Sequence, residues 1–326
     1  MTAETGPATA SKARIRLGIS ACLLGQEVRY DGGHKRDRYL TDTLGRFFEW
    51  VPVCPEVEMG LGTPRETLRL IGEAEAPRLV FAKTGEDQTE AMATWARPRL
   101  EALAGADLSG YILKSDSPSC GMERVRVYRS SGVPTRDGVG IFARALMERL
   151  PLLPVEEEGR LHDLPLRENF VERVFCYRRW RDLVDGGLTR GKLVTFHAAH
   201  KLLLLAHSPK HYQELGRLVA AAKQYSTKEL EARYGEVFMA GLKVKATAKK
   251  HTNVLQHILG YLKKELEAHD KAELLSVISD YSTGLVPLVV PLTLLKHHLG
   301  RHPVPYIQEQ VYLTPHPKEL MLRNHV

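Results

Sequence analysis

The sequence predicts two domains of different class: an α/β layered domain over residues 13–160 and an all-α domain over residues 161–326. Three observations predict this. At about 100–200 residues per domain, 326 residues suffice for two cores. The first half alternates strand-period and helix-period segments, whereas the second half is helix-period nearly throughout. The charge also divides: residues 1–160 carry 22 Lys+Arg and 23 Asp+Glu, a net of −1, and residues 161–326 carry 24 and 16, a net of +8.

Taking the elements in order, Ile15, Leu17 and Ile19 alternate with polar or small neighbours across 14–20, the period of a strand. A helix is expected at 38–49, a strand at 50–53, a strand at 78–82, and a helix at 86–104 bent at Pro98. Strands at 110–114 and 124–128, a helix at 139–149 and a final strand at 152–155 complete the half. Such alternation builds a mostly parallel, Rossmann-like sheet with helices on its faces. In the second half, helices are expected at 164–183, 193–207, 209–225, 228–241, 247–264, 271–280 and 286–299, the first bridging the two domains. Start signals support three of them: Ser208 before Pro209, Ser226 with Glu229, and Asp270 with Glu273.

An apolar fraction of 43% and a charged fraction of 26% belong to a globular chain and exclude collagen-like and disordered classes. The most apolar stretch, 285–295, holds two prolines and is too short to span a bilayer, so no membrane partner is expected. The first twelve residues lack an apolar signal core and read as a loose end, which suggests a cytoplasmic protein with reduced thiols. No phosphate-binding or dinucleotide-binding glycine motif is present.

Three of the four cysteines follow closely on predicted strands: Cys22 after 14–20, Cys54 after 50–53, and Cys120 beyond 110–114. If those strands are parallel, the thiols share the carboxyl edge of the sheet, where open α/β folds bind ligands. Three convergent thiolates suit zinc or an iron–sulfur centre and leave a fourth position open, as in a catalytic metal site. The bland alternative is three buried small side chains.

The segments Ser20-Ala21-Cys22-Leu23-Leu24-Gly25, Val28-Arg29-Tyr30-Asp31-Gly32-Gly33, Cys54-Pro55-Glu56 and Ser117-Pro118-Ser119-Cys120-Gly121 resemble, in order, the motifs of the thiouracil desulfidase family. The helical remainder, through Phe196-His197-Ala198-Ala199-His200-Lys201 and Leu205-Ala206-His207-Ser208-Pro209, resembles the accessory domain of tRNA 4-thiouridine desulfidases. The resemblance implies a 4Fe–4S cluster held by Cys22, Cys54 and Cys120 with one iron lacking a protein ligand. It also implies a non-redox exchange of C=S for C=O by water, releasing hydrosulfide. Such a reaction needs a general acid–base group; Glu56 is the candidate, with Glu58 as competitor, and Ser117 would orient water. Arg29, Tyr30 and Ser119 are candidate substrate contacts, although Asp31-Gly32-Gly33 is also ordinary turn sequence.

The basic excess suggests an RNA partner, with Lys243, Lys245, Lys249 and Lys250 as phosphate contacts. Arg178, Arg179 and Arg181 beside Tyr177 and Trp180 form a second basic and aromatic cluster suited to looped RNA. His197, His200 and His207 share a helix face, and are read as packing or RNA contacts ahead of metal ligands; His297, His298 and His302 stay unassigned. The leading expectation is therefore desulfuration of 4-thiouridine in tRNA. The alternatives are small thiolated pyrimidines such as 2-thiouracil, with the helices serving oligomerisation, or a non-catalytic RNA-binding protein whose metal centre is closed by Cys176.

Overall fold

A computed structural model describes residues 14–129 and 133–325; the expectation for the first twelve residues lies outside them. The chain forms β1 (Ile15–Ser20), β2 (Phe48–Val53), α1 (Pro55–Glu58), β3 (Leu68–Ile71), β4 (Arg78–Phe81), α2 (Thr89–Ala104), β5 (Leu108–Leu113), β6 (Val125–Tyr128), β7 (Pro134–Gly138), α3 (Ile141–Arg149) and β8 (Val155–Glu157). Helices follow: α4 (Leu164–Asp185), α5 (Arg190–His207), α6 (Pro209–Ala220), α7 (Thr227–Lys243), α8 (Ala248–Leu262), α9 (Ala268–Ser282), α10 (Val289–Arg301) and α11 (Pro305–Gln308).

The main sheet has the order β2-β1-β5-β8, with every pair parallel. All six residues of β5 are buried, as expected of a parallel strand covered on both faces. Leu17, Ile19, Phe48 and Ile112 meet Phe170, Val171 and Val174 of α4 on one face. Tyr111 and Leu113 join Met92, Ala96, Phe142 and Leu146 of α2 and α3 on the other. Helix α4 approaches so closely that a Cβ on Gly110 would lie 2.8 Å from Val174 Cγ2, which is why β5 carries glycine there.

A second sheet, β4-β3-β6-β7, mixes parallel and antiparallel pairs. The strand expected at 78–82 belongs to it, antiparallel to β3. The helix expected at 38–49 is instead a tight run of π and 3-10 turns over Tyr39–Thr43 and Leu44–Arg46, because β2 already starts at Phe48. The last strand begins only at Val155, after turns at 151–153. Pro98 lies inside α2, which continues through it.

Helix α4 also packs on α7, with Trp180 stacked on Tyr234 at 5.1 Å. Ser208 accepts from His211 N–H to start α6, which ends at Ala220, and Ser226 with Glu229 forms a full capping box on α7. Asp270 is not a cap: α9 begins at Ala268, so Asp270 falls in its first turn. The chain's end returns to α4, where Arg323 pairs with Glu168 at 3.2 Å and Glu172 at 2.6 Å. Among the described residues, no helix is long and apolar enough to cross a membrane.

Candidate active site

In the main sheet the chain runs from β1 outward to β2, then crosses back to β5 on the other side of β1. This reversal opens a crevice at the carboxyl ends of β1 and β5, the usual ligand position in open α/β sheets. A cleft of about 380 Å³ lies there, and Cys22, Cys54 and Cys120 all line it.

Each cysteine is held by local chain chemistry. Cys22 sits on a 3-10 turn directly after β1, and its carbonyl accepts from Lys35 N–H at 2.9 Å. Cys54 precedes Pro55 at the start of α1, and its N–H donates to Glu58 Oε1 at 3.2 Å. Cys120 lies in a turn in which Ser117 Oγ accepts from Ser119 N–H at 3.2 Å and Cys120 N–H at 3.0 Å. Gly140 presses on that turn so tightly that a Cβ would sit 2.6 Å from the Ser119 carbonyl carbon and oxygen.

All four cysteines are free thiols. Burial, helped by the neighbouring Cys54 sulfur and opposed by Lys114, pushes the Cys22 thiol up to about 11. Burial, reinforced by Glu56, raises Cys120 well above the usual thiol range, and burial also raises Cys54. A metal or cluster would therefore have to displace three protons to bind as thiolates. Among the described residues the three sulfurs are not all within 4.8 Å of one another, as ligands of one shared zinc ion would be. Three soft donors free of disulfides and spaced around one cleft fit a bulkier polynuclear centre. Lys35, Lys114, Arg29 and Arg65 line the same cleft and would offset its negative charge.

Glu56 lines the cleft with both oxygens engaged. Arg65 Nε donates to Glu56 Oε2 at 3.0 Å, and Arg65 Nη2 pairs with the same oxygen while also donating to Val28 O at 3.0 Å. Ser119 Oγ donates to Glu56 Oε1 at 2.8 Å. Glu58 turns away: besides capping Cys54 it pairs with Arg99 at 2.9 Å and does not line the cleft. Geometry thus separates the two glutamates that sequence leaves in competition.

Ser117 lines the cleft, with its oxygen accepting two backbone N–H groups. Ser119 does not: it is fully buried behind the lining, which corrects its reading as a substrate contact to that of a positioning residue. Arg29 and Tyr30 both line the cleft, and the Arg29 guanidinium lies 5.3 Å over the Tyr30 ring. Asp31 is turn chemistry, accepting from Gly33 N–H at 3.0 Å, which holds its carboxyl below the usual range. Sequence reasoning misses Arg65, Lys114 and Lys35, which carry no motif of their own and reach the cleft only through the fold.

In the helical half, Cys176 is fully buried in α4, and burial pushes it up to about 12. It does not line the cleft and closes no centre there. Tyr177 and Trp180 are core residues. Arg178 pairs with Asp107 and Asp182, Arg181 with Asp107 and Asp185, and Arg179 donates to Pro315 O at 2.7 Å, so this cluster is not an RNA-stacking platform. His197 and His200 are core side chains that burial lowers to about 4 and about 3. His207 bridges Val244 O at 2.7 Å and Glu172 at 3.1 Å, so the three rings do not converge on a common ion. Lys243, Lys245 and Lys249 are exposed; Lys250 is not free, because its Nζ donates to His207 O at 2.6 Å and caps α5.

An α/β crevice lined by three free cysteines and a braced glutamate defines a thiolate site of the kind that holds a soft metal centre. Consistently, the 2-thiouracil desulfurase family profile matches residues 17–158, which contain every cleft residue named above, and a family described as "Protein of unknown function (DUF1722)" matches residues 201–317. The uncharacterized protein YbgA of Escherichia coli (strain K12) is 32% identical over 153 residues, 47% of this chain and 90% of that protein. The uncharacterized protein YbbK of Bacillus subtilis (strain 168) is 36% identical over 111 residues, 32% of this chain and 71% of that protein. Among solved structures, the 4Fe–4S-dependent thiouracil desulfidase TudS shows 33% identity, covering 47% of this chain and 97% of that one, with a TM-score of 0.38. The chain belongs to the 2-thiouracil desulfurase family.

Proposed function

We propose that this chain hydrolyses the thiocarbonyl of a small thiolated pyrimidine such as 2-thiouracil, adding water, leaving the carbonyl and releasing hydrosulfide. The observation that carries this reading is the convergence of Cys22, Cys54, Cys120 and Glu56 on one cleft within the family-matched segment. TudS depends on a 4Fe–4S cluster; such a cluster held here by Cys22, Cys54 and Cys120 would supply a soft Lewis-acid iron for the sulfur.

The chain's own residues supply the rest. Glu56 accepts the proton of the attacking water and returns it as the sulfur leaves; a placed acid–base group of this kind is worth roughly 10²–10⁴-fold. Arg65 and Ser119 fix its carboxylate by one oxygen each, so it meets the water without reorganising. Ser117 orients the water through its free O–H, and Arg29 and Tyr30 flank the ring at the cleft mouth. Four free thiols suit a reducing, cytoplasmic setting.

A second reading places the thiolated base in tRNA, as 4-thiouridine. It is favoured by the +8 balance of residues 161–326 and by exposed Lys243, Lys245 and Lys249. The outer face of α8 continues that surface with Asn253, Gln256, His257 and the half-exposed Tyr261. A stacked base would have to be extruded to reach the cleft, which a basic helical half could hold in place.

The test is anaerobic purification and cluster reconstitution, then separate incubation with 2-thiouracil and with thiolated tRNA. Release of sulfide from 2-thiouracil is expected; an intact cluster with no turnover on either substrate overturns the desulfidase reading. If the tRNA keeps its 4-thiouridine, the second reading falls alone. If it is consumed, Lys243, Lys245 and Lys249 changed together to Ala should weaken tRNA binding and flatten its salt dependence.

A further inference from the structure

Outside the cleft, α9 and α10 bring Asp270, Glu273 and His298 together, with one ligand atom of each within 4.8 Å of the others. Asp270 and Glu273 stand three residues apart on one face of α9. His298 comes from the last turn of α10 and is only 2% exposed. Neither of its ring nitrogens has a hydrogen-bond partner. Its Nδ1 points at Asp270 Oδ2 but stops 3.9 Å away, beyond hydrogen-bond reach.

A buried imidazole unpaired at both nitrogens is costly unless something accepts from or binds to it. Ordinary core packing accounts for the burial but not for the ring facing two carboxylates at a distance that leaves room between them. Capping does not account for the acids either, because α9 starts two residues before Asp270 and Glu267 holds the N-cap position. Among the described residues, neither acid makes a side-chain hydrogen bond.

We propose that Asp270, Glu273 and His298 form a divalent-cation site that ties α9 to α10. Two carboxylate oxygens and one imidazole nitrogen select a borderline ion such as zinc over calcium or magnesium, which prefer all-oxygen sets. Three protein ligands leave a position for water. Exposed Glu273 is free to swing inward and close the ligand spacing, while buried His298 is already fixed. The carbonyl end of α10 adds a favourable field for a cation.

The probe is Zn²⁺ titrated into the full chain, read by equilibrium dialysis and by the thermal midpoint. The comparison is with a D270N/E273Q variant, whose exposed or half-buried positions make it safe for folding. Zinc taken by the cysteines is common to both proteins and cancels in the difference. The wild type is expected to bind one further equivalent and to melt higher with zinc. The variant should lose that equivalent, its affinity falling by more than the roughly 10–100-fold typical of outer-shell changes. Equal stoichiometry and equal midpoints overturn the site. His297 is exposed, with its ring centroid 5.4 Å from that of His298, and serves as the control. If H297Q alone removes the equivalent, the ion sits on surface histidines and the proposal is likewise overturned.

Discussion

Ser119, sealed from solvent, donates its hydroxyl to Oε1 of Glu56 at 2.8 Å across 63 residues of chain. This bond joins the turn that carries Cys120 to the helix that follows Cys54. Replacing Ser119 by Ala leaves Glu56 paired with Arg65 alone. The expected result is about a tenfold drop in kcat, set by the ~1–1.5 kcal/mol of one hydrogen bond, with iron content unchanged. Glu56→Gln, which removes the proton acceptor itself, should cost ~10²–10⁴-fold with the cluster retained. Equal kcat for Ser119→Ala and wild type would show that Arg65 suffices to orient the carboxylate.

Gly140 tests the other side of the same turn. A Cβ there would sit 2.6 Å from the Ser119 carbonyl and 2.9 Å from Cys120 N, both backbone atoms that cannot rotate away. Gly140→Ala should therefore displace the Cys120 turn at a cost of ~1–3 kcal/mol. Iron and acid-labile sulfide would fall together, while helical circular dichroism is preserved. Full iron content in this variant would mean the turn yields without disturbing Cys120.

The cysteines were legible in the sequence because each follows a strand, and parallel strands deliver their carboxyl ends to one edge. The start signals at Ser208 and Ser226 were legible for the same local reason: capping is written within four residues. Residues whose role depends on non-local approach were not legible. Arg65 lies on a loop and acquires meaning only when it folds over Glu56. Trp180 and Tyr177 look like an RNA platform among arginines until α7 covers them. Strand β3 is four residues long, and β7 opens on Pro134 and is mostly polar, so neither carries a strand period. Lys250 reads as one more phosphate contact, but its ammonium is consumed by the carbonyl end of α5.

Thiol reactivity in the cluster-free chain should follow burial. Cys54 is half-buried and raised, Cys22 is buried and raised to about 11, Cys120 is buried and raised well above the usual thiol range, and Cys176 lies at about 12 in the core. Alkylation needs the thiolate, so iodoacetamide at pH 8 should label Cys54 first, Cys22 more slowly, and Cys120 and Cys176 only on unfolding. Peptide mapping reads the order directly. After cluster reconstitution, Cys22, Cys54 and Cys120 should all be protected. Labelling of Cys54 at an unchanged rate would remove it from the ligand set.

The buried network at the chain's end makes the last prediction. Arg323 lies between Glu168 and Glu172, and all three are buried. One guanidinium cannot neutralise two buried carboxylates, so one must keep its proton. Glu172 accepts from both Arg323 and His207 and is held well below the usual carboxylate range against the cost of its burial. Glu168 takes the proton, raised to about 8 by burial and by the Glu172 charge. The two substitutions to Gln should then part company. Glu172→Gln removes the charge that holds both Arg323 and His207; Glu168 must then give up its proton to pair with Arg323, and the lost charged hydrogen bonds should cost ~1–3 kcal/mol. Glu168→Gln replaces a group that is already neutral at pH 7 and should change little in the contacts of the folded state. The sign of the pH dependence follows from the raised value. Glu168 binds its proton more tightly folded than unfolded, so its contribution is complete below about 4.5 and is lost as pH rises towards about 8. The Gln variant lacks that loss. Its stability relative to wild type should therefore climb between pH 5 and pH 8 in urea denaturation of the full chain, then level off. A pH-independent difference between the two proteins would place the shared proton elsewhere in the network.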